Sequence, residues 1–309
     1  MSDIWVVAEN PAWAAVLISA AKTVKADAKI TAFVKGSEAE AKETITYGAA
    51  SAFALPLPAD GLWEGYIPAL VEKAKAEKPS FILVSASRRG RDLAAQSAAL
   101  LDAPLFSDAK NLAVDGSAFT CETSVYGGTG IRKDSTSAPL VLLTLGAKAY
   151  DPAAADASRS GAVATLPYAA GKVKVTERKP RPVQTVNLGE AAKVVAVGRG
   201  FAEEKELDNA RELAKALGAE VGCSRPIADF FKWLPEECYI GISGQIIKPQ
   251  LYVAVGISGQ AQHISGIRDA KVIVSINKDA ECLMHQNADY YFIGNWQDVI
   301  PALIKAVKG

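Results

Sequence analysis

Short apolar runs alternate with amphipathic segments along most of this chain, and no other feature limits its fold as strongly. Phe81–Ser85 and Leu251–Val255 are almost continuously apolar, which is typical of central strands in a parallel sheet that is covered on both faces. Residues 203–217 have the helical spacing of apolar side chains and are followed by Gly218, a common residue just after a helix end. The sequence therefore predicts an α/β fold.

The alternation occurs in two blocks, and 309 residues exceed the roughly 250 that one core usually supports. Residues 151–188 lack periodicity and contain Pro180 and Pro182, which predict an extended linker. We predict an N-terminal α/β domain with a mixed sheet and linker over residues 1–188. Strand patterns at residues 112–126 and 139–145 suggest that this sheet ends in antiparallel strands. A C-terminal Rossmann-like or flavodoxin-like parallel-sheet domain is expected over residues 189–309.

Composition excludes several classes of protein. Lys plus Arg equals Asp plus Glu at 34 each, so no excess positive charge favours nucleic acid. No apolar stretch approaches the roughly 20 residues needed for a membrane span. The four cysteines lie apart without a C-x-x-C pair, which argues against zinc or iron–sulfur sites and fits a reducing cytoplasm. We expect a cytoplasmic protein that binds neither nucleic acid nor metal.

The most informative stretch is residues 251–266, where a buried strand runs into Gly256-Ile257-Ser258-Gly259 and a predicted helix. Glycines allow close approach of a ligand, and free amides at a helix N-terminus favour an anion such as pyrophosphate. An ordinary strand–turn–helix, with Ser258 as N-cap, remains the alternative. The stretch lacks the Gly-Lys-Ser/Thr of a Walker A loop.

Other polar residues follow neighbouring predicted strands. Ser224 and Arg225 come directly after Glu220–Cys223, and Asn277 follows the predicted strand at residues 271–276. Ligands of open α/β sheets bind at these carboxyl ends. A surface salt bridge for Arg225, a simple turn at Asn277 and a purely structural role for His263 remain open as alternatives.

In order and spacing, the C-terminal segments resemble the FAD domain of electron-transfer flavoprotein alpha subunits. The resemblance rests on GRG at residues 198–200, CSRP at 223–226, GISG at 241–244, LYVAVGISGQAQH at 251–263, SINKD at 275–279 and ADY at 288–290. It is dense over residues 193–309 and weaker over 1–150. The SRP and YIGISG segments resemble the subgroup associated with anaerobic carnitine or acyl-CoA metabolism and nitrogen fixation.

The resemblance implies that FAD is the cofactor and names the residues that would bind it: Arg199, Ser224, Arg225, Ile240, Gly241, Ile242, Ser243, Ser258, Gly259, Gln260, Ala261, Gln262, His263, Asn277, Asn295 and Trp296. It implies that Arg225 lies against the isoalloxazine ring, that Ser243 bonds its N5 atom and that His263 lies near its O2 edge. Residues 258–262 would hold the pyrophosphate and ribityl chain, and Arg199 and Asn277 the nucleotide half.

Two segments depart from the family pattern. Asn295 stands where the family usually has aspartate, so the adenine contact loses a charge. Residues 282–286 read CLMHQ in place of the family's Pro-Ile-Phe-Gln run.

The resemblance further implies a redox carrier rather than a stand-alone enzyme. The chain would pair with an electron-transfer flavoprotein beta subunit and shuttle electrons from acyl-CoA dehydrogenase-type or NADH-linked donors, with quinone- or ferredoxin-linked proteins as further partners. One alternative is the alpha half of a flavin-based electron-bifurcating, NADH-oxidising complex, with a second FAD in the beta subunit. The other is an α/β nucleotide-binding protein without a redox role.

Overall fold

The computed structural model describes residues 3–128, 130–179 and 187–308, which form two compact units. The first unit extends to Val125 and resumes over Gly130–Lys179, and the second contains the described residues from 187 onward with Tyr126–Gly128. Pro180 and Pro182 of the predicted linker lie outside the described residues. The functional domain boundary between residues 188 and 189 stays a prediction.

The first unit is built on a seven-stranded sheet in which all neighbouring strands are parallel, in the order β10-β3-β2-β1-β4-β9-β5. Its strands are β1 (Asp3–Ala8), β2 (Lys29–Lys35), β3 (Ser51–Leu55), β4 (Phe81–Ser85), β5 (Leu105–Phe106), β9 (Val141–Leu145) and β10 (Ala162–Thr165). Its helices are α1 (Pro11–Val24), α2 (Glu38–Thr46), α3 (Ile67–Glu77) and α4 (Arg88–Leu101). Alternate residues of β1 enter opposite cores, with Ile4 and Val6 on one face and Trp5 and Val7 on the other, as expected for a doubly covered sheet.

The antiparallel strands of this unit form a sheet of their own, which corrects the predicted mixed sheet. They are β6 (Lys110–Asp115), β7 (Ala118–Val125) and β8 (Gly130–Thr136), paired in chain order. Most of their side chains are exposed or half-buried, and only Leu112, Phe119 and Cys121 join the neighbouring core. Strands with one partly apolar face pack as a separate layer, because they lack the apolar surface of a doubly covered strand.

The second unit is a five-stranded parallel sheet in the order β12-β11-β13-β14-β15. Its strands are β11 (Lys193–Val197), β12 (Glu220–Cys223), β13 (Leu251–Val255), β14 (Ile273–Asn277) and β15 (Tyr290–Ile293). Its helices are α5 (Leu207–Leu217), α6 (Ala261–Ile264), α7 (Leu283–Gln286) and α8 (Trp296–Lys308). Counted within the unit, the order is 2-1-3-4-5, the flavodoxin-like arrangement, so the predicted fold is confirmed. Among the described residues, no helix is both long and apolar enough to cross a membrane.

The two faces of this second sheet are covered differently. Long helices α5 and α8 pack on the face that carries Val195, Val253 and their neighbours. Single turns and irregular chain cover the face that carries Tyr252 and Ala254. The buried side chains of this covering layer are Ile240, Ile247, Ile257, Ile264, Ile267, Cys282 and Met284. This irregular layer contains many of the predicted cofactor residues.

Strands β11 and β13 are neighbours whose following helices lie on opposite faces of the sheet. Their carboxyl ends are level, with Val197 opposite Val255. This is the topological switch point, where open α/β sheets bind ligands.

Candidate functional site

Backbone contacts between glycines join the loops that follow β11 and β13. The Gly200 amide donates to the Gly256 carbonyl at 3.0 Å, and a Cβ added to Gly200 would lie 2.6 Å from the Gly256 Cα. Gly256 has a φ of +64°, which favours glycine. The glycines of residues 198–200 therefore allow two loops to touch at the switch point, and the exposed Arg199 lies in this contact.

Trp296 supports the same contact from the core. Its indole Nε1 donates to the Gly200 carbonyl at 2.9 Å, and its ring stacks on Phe201 with centroids 4.3 Å apart. Trp296 is buried, so its indole positions the loop, and its contact with the cofactor stays a prediction. The exposed Asn295 immediately precedes α8, and its carbonyl accepts hydrogen bonds from the amides of Asp298 and Val299 in the first turn of that helix.

The loop that follows β13 presents free backbone amides. Among the described residues, none accepts a hydrogen bond from the amides of Ser258, Gly259 or Gln260. Gly259 has a φ of +80°, and left-handed residues occur in the concave nests of successive amides that bind anions. We call residues 258–260 the amide nest.

The helix predicted after this loop is a single turn, and Gln260 rather than Ser258 precedes it. So short a helix has a negligible dipole. The free donors at this position are therefore the loop amides together with those of Ala261 and Gln262 in the first turn.

Two residues brace this loop from behind. The Asn277 side-chain amide donates to the Ile257 carbonyl at 3.1 Å, while its oxygen accepts from the Asp279 amide at 3.1 Å. The Met284 amide donates to the Ser258 carbonyl at 3.2 Å. Asn277 therefore holds the loop in shape, and its contact with the nucleotide stays a prediction.

A second loop lies beside the residues of α6. Tyr239 and Ile240 form only isolated bridges, to Cys223 and Gln245, and Gly241, with a φ of +152°, turns the chain. The Ile242 amide donates to the Gln262 carbonyl at 2.9 Å. The backbone of buried Ile240 lies beside His263, and Ser243 is exposed. The Ser243 hydroxyl lies 3.1 Å from the Tyr239 hydroxyl.

Arg225 lies at the same end of the sheet, one residue after Ser224, whose amide donates to the Val197 carbonyl at 2.9 Å. The Arg225 Nε donates to the Asp229 carboxylate at 2.9 Å, and both side chains are exposed. The hydrogen bond that Arg225 donates to Asp229 raises the pKa of Arg225 further above its ordinary value. The guanidinium is therefore a permanent cation in a solvent-screened pair.

His263 is buried and its environment is largely apolar. Its Nε2 lies 2.6 Å from the Tyr252 hydroxyl, and among the described residues no partner meets hydrogen-bond geometry at Nδ1. Burial lowers the pKa of His263 from 6.5 to about 4, although the nearby backbone of Ile240 favours the charged ring. The imidazole is neutral at physiological pH, with one nitrogen available to a ligand.

These features fit a flavin dinucleotide. The amide nest suits a pyrophosphate, and the exposed Arg225 suits a group that gains negative charge. The buried Nδ1 of His263 has no hydrogen-bond partner in the described chain and can bond to such a ligand. In the described part of the chain, no cluster of three or more His, Cys, Asp or Glu could hold a metal ion.

Two site residues escaped prediction from the sequence. Tyr252 is concealed within an apolar strand, where a tyrosine is normally core. Asp229 lies four residues after Arg225, a spacing typical of helical ion pairs, and that spacing was the available signal.

Two family models match most of this chain. The family model described as "Electron transfer flavoprotein domain" matches residues 4–170. The model described as "Electron transfer flavoprotein FAD-binding domain" matches residues 187–268, which include β11, β13 and the amide nest.

Individual relatives align end to end. YdiR of Escherichia coli (strain K12), a provisionally named electron transfer flavoprotein subunit, is 35% identical over 100% of this chain and 99% of that protein. Protein FixB of Escherichia coli O157:H7 and Protein FixB of Shigella flexneri are each 35% identical, over 99% of this chain and 98% of each relative.

Proposed function

Because this chain belongs to the electron transfer flavoprotein family, as an alpha-type subunit grouped with the FixB proteins, we propose that its FAD lies at the β11–β13 switch point. The second unit is the FAD-binding part of the chain. When bound, the flavin supplies the electron-accepting and electron-donating chemistry, while the protein binds it and adjusts its electrostatics. The observation that carries the proposed position is the run of free amides at residues 258–260.

In this proposal the loop after β13 binds the pyrophosphate. The amides of Ser258, Gly259 and Gln260 donate to its oxygens, and Ala261 and Gln262 line the adjoining part of the cofactor. Gly259 is required because its backbone is left-handed and because a side chain there would strike the Met284 amide, 2.1 Å from the added Cβ.

The residues near α6 and β12 surround the ring. Arg225 provides positive charge beside a group that becomes negative on reduction, and Ser243 provides a hydroxyl. His263 provides a donor from a site that excludes water. Ser224 and the backbone of residues 240–242 line the ring site between these side chains.

The nucleotide half extends along the loop after β11. The exposed Arg199 and Asn295 contact the nucleotide directly. No hydrogen bond joins either side chain to another described residue. Asn277 and Trp296 position the two loops by donating hydrogen bonds to the Ile257 and Gly200 carbonyls, respectively.

We further propose that the chain works in the cytoplasm as half of a heterodimer with an electron-transfer flavoprotein beta subunit. Its redox partners would be an acyl-CoA dehydrogenase-type protein and a quinone- or ferredoxin-linked protein. Support comes from the family and from four cysteines that are all free.

The test is co-purification with the beta subunit, followed by quantification of FAD, FMN and AMP and by reduction with an acyl-CoA dehydrogenase and its substrate. One FAD per alpha chain and its reduction by the dehydrogenase support the proposal. Two FAD per heterodimer with NADH oxidation would assign the complex to electron bifurcation. A complex without flavin would refute the proposal.

A further inference from the structure

The hydrogen bond between Tyr252 and His263 links a strand residue to the proposed cofactor site. Tyr252 is fully buried at 0% exposure and His263 is 7% exposed. The Tyr252 hydroxyl and His263 Nε2 are 2.6 Å apart. At this distance one of the two atoms must carry the shared proton.

Counting protons decides which atom that is. A neutral imidazole has one N–H, and a phenol has one O–H. Among the described residues, the Tyr252 hydroxyl has no other hydrogen-bond partner than His263. If Nε2 carried the ring proton, the phenol proton would be left without an acceptor in an apolar core, and such a buried unsatisfied group costs about 1–3 kcal/mol. If Nδ1 carries the proton instead, the phenol donates to Nε2, and the ring N–H has the Ile240 backbone nearby, which favours a proton on the ring. The second tautomer, with the ring proton on Nδ1, is therefore the favoured one.

The opposite side of the ring agrees with this assignment. The Nδ1 atom is buried without a hydrogen-bond partner in the described chain. A buried N–H in that position is unfavourable unless a ligand accepts from it. The Ile240 backbone lies near the ring but outside hydrogen-bond geometry at Nδ1, so the Nδ1–H is left to donate to a ligand.

We propose that Tyr252 is a positioning residue that fixes His263 in the Nδ1-protonated tautomer, so that Nδ1–H is presented to the electron-rich edge of the flavin. The inference rests on the proposed position of FAD for its ligand, although the tautomer is a property of the chain. A donor whose orientation is fixed before reduction stabilises the added negative charge without reorganisation. Tyr252 thus adjusts the flavin potential from a strand that does not touch the flavin.

The first test is nitrogen-15 NMR of the co-purified complex with labelled histidine. The chain has two histidines, so a His285→Gln variant assigns the His263 signals. We expect a protonated Nδ1 and an unprotonated, hydrogen-bonded Nε2. A protonated Nε2 would overturn the inference, whether or not any variant folds. The same spectrum can be recorded on flavin-free complex, so the absence of FAD would refute the proposed function and leave the tautomer measurable.

The second test is Tyr252→Phe, which keeps the ring in the core and removes the hydroxyl. We expect Nε2-protonated imidazole to appear and the flavin midpoint potential to fall, with FAD still bound. Tyr290→Phe, an exposed tyrosine on β15, is the matched control and should change neither quantity. An unchanged tautomer and potential in Tyr252→Phe with full FAD would contradict the inference.

Discussion

Arg225 and Asp229 form an exposed ion pair one turn apart, with the arginine Nε 2.9 Å from the aspartate oxygen. The pair lies just after β12, beside the switch point. Because solvent screens it, the pair contributes little to folding. We expect its main effect on a ligand that gains negative charge close to the guanidinium.

Arg225→Ala should lower the flavin midpoint potential while FAD remains bound. Loss of a tenfold preference for the reduced state shifts a one-electron potential by about 60 mV, and we expect a fall of that order. Potentiometric titration measures it. Arg211→Ala is the matched control, because Arg211 forms a similar exposed pair with Asp208 at 2.7 Å on α5, outside the loops proposed to hold the cofactor. Equal potentials in both variants would contradict the placement of Arg225.

Gly259→Ala should reduce FAD occupancy. The left-handed backbone disfavours alanine, and the added Cβ would lie 2.1 Å from the Met284 amide nitrogen, so the nest must deform at a cost of roughly 1–3 kcal/mol. The control is Gly218→Ala, with a φ of +62° and no atom within 4 Å of the added Cβ. That variant should lose about 1 kcal/mol of stability but keep its FAD. Flavin absorbance per protein and thermal unfolding separate the two outcomes.

Asn277→Ala should raise the FAD dissociation constant several-fold, because the Ile257 carbonyl loses its bond and the amide nest loosens. Asn209→Ala removes a comparable bond, from the Asn209 side chain to the Glu206 carbonyl at 3.1 Å, in the first turn of α5. Each substitution should cost about 1 kcal/mol of folding free energy. If both bound FAD as tightly as the parent protein, the bracing role of Asn277 would be wrong.

His263 should make stability depend on pH between about 4 and 6.5, because burial lowers its pKa from 6.5 to about 4. In that interval the unfolded chain binds a proton that the folded chain does not. Stability is therefore fully present above about pH 6.5 and falls by about 3 kcal/mol as the pH approaches 4.

His263→Gln should remove this component of the pH dependence. Denaturant unfolding of both proteins across the interval measures it. Parallel stability curves for the two proteins would show that His263 titrates normally.

Much of this architecture follows from the sequence. The apolar runs locate β11, β13 and β14 because doubly covered strands have few polar positions. The glycines at residues 198–200 and 256–259 mark the loops at the switch point because close backbone contact tolerates no side chain.

The remaining features depend on contacts that periodicity does not reveal. The helix after Gly259 is one turn long because the chain there turns to bond with residues 240–242. Tyr252 looks like any core aromatic until His263 is placed opposite its hydroxyl. Trp296 faces Phe201 because both lie on the helical face of the sheet.

The measurement that tests the central claim most directly is a crystal structure of the co-purified heterodimer with its FAD. We predict that the pyrophosphate oxygens lie about 2.7–3.2 Å from the amide nitrogens of residues 258–260, and that Arg225 and His263 lie beside the ring. A pyrophosphate bound elsewhere, with those amides facing solvent, would contradict the account.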